Sequence, residues 1–105
     1  MAGPPMTNCL LHLICSPKLE DSLSEWLLER PDVPGFTSLP VAGHGSSEHS
    51  MTLAEQVAGR SRRVMFLLEL SEERAQALIA DLATAFGGSG LHYWLVPLSA
   101  AGHID

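Results

Sequence analysis

The order in which apolar runs and amphipathic segments alternate along the chain most constrains its fold. Four short runs rich in aliphatic and aromatic residues predict strands, at residues 8–15, 36–42, 62–70 and 91–98. Pro40 lies in the second run and predicts an edge strand, because proline lacks a ladder donor. One helical pattern follows the first run and another follows the third. The order β-α-β-β-α-β is that of the ferredoxin-like α+β unit, an antiparallel sheet with two helices on one face.

Both predicted helices are bounded by residues that favour helix ends. Ser16 and Pro17 open the first helix, because serine caps a helix and proline suits its first position. Pro31 ends it, since the residue before a proline avoids helical backbone angles. Ser71 and two glutamates open the second helix, and the glycines within residues 87–90 stop it. The apolar faces are formed by Leu19, Leu23, Trp26 and Leu27 in the first helix and by Ala75, Leu78, Ile79, Leu82 and Phe86 in the second.

The predicted sheet is apolar on both of its faces. Two helices cover only one face, and a sheet face in contact with water usually alternates to polar residues. We therefore expect a second copy of the chain to cover the other face, called here the helix-free face. His12 and Glu69 fall on it, on neighbouring strands. The two interpretations are a His–Glu hydrogen bond buried at an oligomer contact and a metal or proton-linked site along the oligomer axis. Its apolar members include Leu10, Ile14, Met65 and Leu67.

Composition sets the broad class of protein. The 105 residues suffice for one domain, residues 1–105, and an apolar content of 46% is too high for a disordered chain. Residues 1–7 predict a loose N-terminus. The formal net charge of −6 argues against nucleic acid as a partner, because a phosphate backbone requires a basic surface. There is no signal-peptide pattern and no apolar run near the ~20 residues that span a membrane, so we expect a cytoplasmic protein without membrane insertion.

The two cysteines, Cys9 and Cys15, lie in one predicted strand. At ~3.3 Å per residue their separation is about 20 Å, which is too far for a disulfide between them. We expect two buried, apolar free thiols.

Residues 43–59 form a polar insert between the second and third predicted strands. The insert exceeds the ~2–5 residues of a usual hairpin loop, and a long loop in a small domain is typical of a binding element. A capping box at residues 52–55 predicts a helical turn over residues 53–58. An H-x3-E-H pattern matches no standard zinc motif, so solvated side chains are the alternative to a metal site. The candidate ligands of a divalent transition metal such as Cu, Zn or Ni are His44, Glu48 and His49.

Two sequence blocks resemble the PII-like signalling proteins. They are GFTSLPVAGHG at residues 35–45 and GGSGLHYWLVP at residues 87–97. In that family a glycine-rich G-D-G-K turn precedes a last strand that ends in V-x-P, and Gly88-Ser89-Gly90 and Val96-Pro97 stand in those places. The pattern is similar to a subgroup whose genes tend to lie near heavy-metal efflux systems, and the copper-tolerance CutA family is a more distant relative. The resemblance implies a PII-like homotrimer, a mobile loop at residues 43–59, and a regulatory role with a membrane efflux pump or another target protein as partner.

The chain departs from the PII-like pattern where that family binds nucleotide. Leu91 follows the glycine turn in place of a lysine, and residues 98–105 contain no arginine. We therefore expect nucleotide to bind weakly or not at all. Arginines at the base of the loop could contact an anionic effector, or they could be solvated side chains at the start of a strand. The glycines of the turn could contact an effector, or they could serve only to end the helix. These candidates are Arg60, Arg62, Gly88, Gly90 and His92, with Arg63 beside them.

Three functions are consistent with these features. The first is a PII-like regulatory or sensor protein that binds a small effector or a divalent metal and signals through its loop, with a heavy-metal efflux system as a candidate target. The second is a CutA-like metal-binding tolerance protein without a signalling partner. A small enzyme ranks last, because no nucleophile, base and orienting partner share a motif spacing, and we expect no catalytic residue.

Overall fold

The strands and helices predicted for the described part of the chain are all present. The structure is a computed structural model and describes residues 8–45 and 60–105. Its strands are β1 (Asn8–Cys15), β2 (Thr37–Gly43), β3 (Ser61–Ser71) and β4 (His92–Pro97), and its helices are α1 (Glu20–Leu28) and α2 (Glu72–Ala85). The predicted α+β class is confirmed, and each strand boundary lies within one residue of its prediction. Residues 1–7 and the predicted helical turn at residues 53–58 lie outside the described residues.

The four strands form one antiparallel sheet in the order β2-β3-β1-β4. β1 lies inside the sheet, where Leu13 is opposite Phe66 of β3 and Tyr93 of β4. β2 is an edge strand, as Pro40 predicts, and β4 is the other edge. Because the strands are antiparallel, β1 and β2 end where β3 and β4 begin. This edge of the sheet, from which the long loop departs after Gly43, is called the loop end below.

The core lies between the sheet and the two helices. Successive side chains along a strand point to opposite faces, so every second residue of β1 and β3 reaches the helices. Cys9 and Cys15 share this alternation and are buried free thiols, which confirms the prediction. Burial raises the pKa of the Cys15 thiol. The fully buried core residues include Leu11, Leu13, Leu23, Leu27, Phe66, Leu68 and Leu78.

The two helices begin differently. Ser71 caps α2 as predicted, because its hydroxyl accepts a hydrogen bond from the Arg74 N–H at 3.3 Å. Ser16 stands at the N-cap and Pro17 at the start of the first helical segment, as predicted, but the Ser16 side chain makes no capping hydrogen bond. A 3₁₀ turn, Pro17–Leu19, precedes α1, and the Ser16 carbonyl accepts the Leu19 N–H at 3.0 Å, so the backbone closes the turn without the hydroxyl. No helix in the described part of the chain is long and apolar enough to cross a membrane.

An arginine beyond the end of α1 connects the two helices. α1 ends ahead of Pro31, as predicted. Arg30 donates hydrogen bonds to Asp32 at 3.1 Å and to Asp81 of α2 at 2.7 Å. Its guanidinium also lies 4.7 Å from the centre of the Trp26 ring. The hydrogen bond from Arg30 holds the pKa of the Asp32 carboxyl below its usual value, and the same contacts fix α1 against α2.

Candidate functional site

A glycine turn at the loop end connects α2 to β4. Gly88 and Gly90 both have a φ of +80°, a left-handed conformation that residues with a Cβ rarely adopt. The Ser89 N–H donates to the Phe86 carbonyl at 3.2 Å, and the Ser89 hydroxyl accepts the Leu91 N–H at 3.3 Å. The turn therefore ends α2 as predicted, and its three central residues are exposed.

A cavity of about 280 Å³ lies beside this turn, between α2 and β4. Apolar walls favour an apolar group over a phosphate, which needs N–H donors or cations. The sequence analysis missed this cavity, although Phe86 and Leu91, two large apolar residues on either side of the glycines, are a signal for it. Besides the turn glycines, its lining includes Leu13, Ile79, Leu82, Phe86, Leu91 and Tyr93.

The residues predicted to contact an effector in the last third of the chain fall on two faces of the sheet. Gly88 and Gly90 line the cavity on the helix side. His92 lies opposite Ile14 on the helix-free face, so it points away from the cavity. Its ring meets the Trp94 ring edge-on, with centroids 5.4 Å apart. A ligand in the cavity would therefore contact the glycines without His92.

Arg60 and Arg62 lie at the start of β3, on the far side of β1 from the glycine turn. Neighbouring strands are ~4.8 Å apart, so β3 and β4 are about 10 Å apart. Both arginines are exposed, whereas Arg63 bends back and donates from Nε to the Ser61 hydroxyl at 3.1 Å. Within one chain the arginines and the glycine turn form two separate groups at the loop end, and a shared binding role stays a prediction.

Gly43 marks the point where the long loop leaves the sheet. A Cβ here would lie 3.1 Å from the Ser61 hydroxyl, so a larger residue requires a small movement of the Ser61 side chain. His44 follows directly and is exposed. Glu48 and His49 lie outside the described residues, so the proposed metal site stays a prediction. Within the described ranges, no three metal-binding side chains come together.

The helix-free face is apolar and incompletely covered in a single chain. His12 of β1 stacks on Trp94 of β4 with ring centroids 5.2 Å apart. The Nδ1 atom of His12 is buried and has no hydrogen-bond partner among the described residues. The strand register places Glu69 opposite Leu10, one pair further along the face than His12, and no hydrogen bond joins the two side chains within the described part of a single chain. A His–Glu hydrogen bond at a contact between copies stays a prediction. Leu10, Ile14, Met65 and Leu67 are half-buried, and Trp94 and Val96 are 40% and 39% exposed.

Solved structures of other proteins share this fold. A DUF3240 family protein from Shewanella baltica is 23% identical, covers 96% of this chain and 100% of its own, and has a TM-score of 0.76. CPII from Thiomonas intermedia, a nitrogen regulatory PII-like protein bound to ADP, AMP and bicarbonate, is 18% identical, covers 93% of this chain and 97% of its own, and has a TM-score of 0.67. A functionally unknown protein from Pediococcus pentosaceus is 13% identical and has a TM-score of 0.65. The match covers 95% of this chain and 100% of that protein. The expected PII-like fold is confirmed.

Sequence comparison gives the family. The model of the family described as "Protein of unknown function (DUF3240)" matches residues 6–105. No curated protein matches the chain. The match spans nearly all of the sequence, and a DUF3240 protein of known structure has the same fold. The chain therefore belongs to the DUF3240 family, and its fold is that of the PII-like proteins.

Proposed function

We propose that this protein is a PII-like regulatory protein that binds a small effector at the loop end of the sheet and signals through residues 43–59. The observation that carries the proposal is the position of the glycine turn at the same sheet end as both anchors of the long loop. Gly43 and Ser61 pair directly, so the loop leaves and rejoins the sheet at adjacent positions. The turn lies two strand spacings from the point where the loop rejoins β3, so binding near the turn would act on the loop across this end of the sheet. The CPII structure, with its bound ADP, AMP and bicarbonate, supports a small-molecule effector for this fold.

The effector that fits the loop end best combines an apolar part with an anionic group. Leu91 and Tyr93 belong to an apolar cavity wall. Arg60 and Arg62 bring positive charge to the same end of a chain whose net charge is −6. Because the lysine expected after the glycine turn is absent, a polyphosphate is a weaker candidate than a small carboxylate or a similar monoanion.

The assembly proposed for this role is a homotrimer with the helix-free face at its centre. The support for burial is the apolar character of that face, and the number three follows from the PII-like resemblance. Assembly would also bring the arginines of one copy towards the glycine turn of the next, which β1 separates within one chain. The proposed target is a protein that reads the loop, with a heavy-metal efflux system as the first candidate.

A CutA-like metal-binding role is the second candidate, and the exposed position of His44 at the start of the loop favours it. In this role the loop histidines hold a divalent transition metal, and no signalling partner is needed. Neither proposal includes catalysis, and neither assigns a catalytic residue.

Native mass spectrometry of protein purified without chelator tests both proposals. The expected spectrum shows a trimer, and any retained small molecule or metal is identified from its mass. Calorimetry then compares Gly90→Ala with Gly35→Ala for that molecule. Gly90 needs a positive φ, whereas a Cβ at Gly35 meets no atom within 4 Å. Equal affinity of both variants would show that the effector does not bind at the glycine turn.

Deletion of residues 46–58 tests the signalling step separately. The deleted protein is expected to bind the effector but to lose capture of its target in a pull-down. Target capture that survives the deletion would refute signalling through the loop. Retained metal without any effector-dependent partner would favour the CutA-like role.

A further inference from the structure

The outer edge of β4 presents backbone groups that no described strand pairs. In the order β2-β3-β1-β4, β4 pairs with β1 on one side, and no described strand pairs with it on the other. An open edge is a template on which another extended segment can add as a strand. The side chain of Tyr93 on this strand is 51% exposed.

Residues 99–105, called here the 99–105 segment, follow β4 without helix or strand, and all of them are exposed. The line of β4 continues as far as Leu98, whose N–H donates to the Asn8 carbonyl at 3.0 Å. Beyond it, Ile104 is 104% exposed, as much as in a free peptide. Burial of such a side chain is favourable, because it removes apolar surface from water.

The apolar cavity lies at the opposite end of β4, where Leu91 and Tyr93 line it. At ~3.3 Å per residue, a strand covers about 17 Å from Leu98 back to Tyr93 and about 20 Å from Leu98 forward to Ile104. A 99–105 segment that runs antiparallel along the open edge therefore brings Ile104 to the cavity.

The segment of the same chain does not reach the cavity in this way. The hydrogen bond from Leu98 to Asn8 holds Leu98 beside β1, so the chain could reverse only after Leu98. A two-residue hairpin turn there would consist of a serine and an alanine, whereas such turns favour Gly, Asn or Asp. No described residue other than glycine has a positive φ. After such a reversal Ile104 would lie opposite Leu95, two residues short of Tyr93. The segment that fills the cavity must come from a second copy.

We propose that the 99–105 segment of one copy adds as an antiparallel strand to the open edge of β4 in a second copy and inserts Ile104 into its apolar cavity. With Ile104 opposite Tyr93, Gly102 comes opposite Leu95. Residues opposite each other share a face of the sheet, so Gly102, which has no side chain, lies beside Leu95, where the space is already filled by the core. The large residue falls where the cavity offers space.

A head-to-tail contact that every copy both gives and receives forms a ring where its rotation closes, and otherwise an open filament. Such a ring is compatible with a homotrimer and requires no effector. Gly88 and Gly90 also line the cavity, so the inserted Ile104 and the apolar part of an effector would compete for it.

Disulfide crosslinking between two co-expressed chains of different size tests the contact. One chain carries Ile104→Cys, and the other, extended by a tag, carries Tyr93→Cys. The matched control replaces Ile104→Cys by Ala101→Cys, which faces the other side of the added strand. We expect a roughly fivefold stronger mixed band for the 104–93 pair, because only that pair has Cβ atoms within disulfide reach. Cys9 and Cys15 are buried, so their background is low.

Sedimentation velocity of Ile104→Asp and Ile104→Leu gives a second readout. Ile104 is fully exposed in the single chain, so neither substitution disturbs its fold. We expect Ile104→Asp to associate about tenfold more weakly than Ile104→Leu, because the charge cannot enter an apolar cavity. A 104–93 band no stronger than the 101–93 band, or equal association of the two variants, would overturn the proposal.

Discussion

His12 stacks on Trp94 at a centroid distance of 5.2 Å, and the Nδ1 atom of His12 is buried without a hydrogen-bond partner among the described residues. An unpaired buried polar atom costs about 1–3 kcal/mol. This free-energy cost arises on the helix-free face, where β1 and β4 are otherwise mostly apolar around His12. An apolar side chain at residue 12 would avoid it, so the histidine lowers the stability of the single chain.

Replacement of His12 by leucine is therefore expected to stabilise the chain. The free energy of unfolding should rise by about 1 kcal/mol, because the variant removes an unsatisfied nitrogen and keeps an apolar side chain against Trp94. Urea denaturation measures the change, with His103→Leu, at an exposed position, as the control. A loss of stability in His12→Leu would mean that assembly supplies Nδ1 with a partner.

The helix-free face predicts a charge-sensitive assembly. Leu67→Glu should dissociate or aggregate the protein, because the carboxylate would be buried between copies without a partner. Gln76→Glu adds the same charge at an exposed position of α2 and should leave the assembly unchanged. Sedimentation equilibrium at micromolar concentration distinguishes the two. A wild-type protein that is a stable monomer in this experiment would refute the homotrimer.

Leu91 predicts weak binding of ATP. It occupies the position of the PII-like lysine and contributes to an apolar wall, so the wild type should show no micromolar affinity in calorimetry. Leu91→Lys should strengthen ATP binding about tenfold, since a charge-assisted hydrogen bond contributes about 1.5–3 kcal/mol before desolvation of the lysine. Leu91→Met keeps the apolar wall and is the matched control. A micromolar dissociation constant for the wild type would contradict the expectation and turn attention to Arg60 and Arg62.

The Arg30 contacts predict a stability difference that depends on pH. Arg30→Gln should lower the free energy of unfolding by about 1 kcal/mol, because the pairs are partly exposed and only the Trp26 contact adds to them. The pKa of Asp32 is lowered in the folded chain, so its contribution is complete above the unfolded value of 3.8 and is lost as pH falls through the folded value. The difference between wild type and Arg30→Gln should therefore shrink below about pH 4. Thermal unfolding from pH 2 to pH 7 checks this, with Lys18→Gln as a charge control. If the stability difference between wild type and Arg30→Gln does not change with pH, the contribution of Arg30 comes from its packing on Trp26 alone.

Local patterns in the sequence determine which face a side chain occupies, and this is where prediction succeeded. Alternation along β1 separated the buried Leu11 from the half-buried Leu10, and Ser71 marked the start of α2. Such features depend on backbone period and on neighbours within four residues. Ser16 also marked the start of the first helical segment, but its side chain makes no capping hydrogen bond, because a 3₁₀ turn is closed there by the Ser16 carbonyl.

Relations between distant segments were predicted less well. The face of Glu69 was foreseen, but its position opposite Leu10 depends on the pairing offset between β1 and β3, which no local pattern fixes. The cavity beside Leu91 is lined by residues of β1, α2, the glycine turn and β4, so it belongs to the packed fold. Whether Arg60 meets Gly90 depends on a contact between copies.

The loop histidines give the last prediction. His44 is exposed at the point where the loop leaves β2, and the proposed metal site adds Glu48 and His49 to it. Two histidines and one carboxylate leave a coordination position open, which suits a sensing site better than a closed structural one. Titration with Cu, Zn and Ni should show that His44→Ala and His49→Ala each bind more weakly than wild type by about tenfold or more, since each removes one ligand. His103→Ala is the matched control, because it removes an exposed histidine far along the chain from the loop. Affinity should also fall on acidification, because a protonated imidazole cannot bind a metal. If both loop variants bind all three metals as tightly as wild type, the metal site is not in the loop, and the effector-binding role remains as the proposal to pursue.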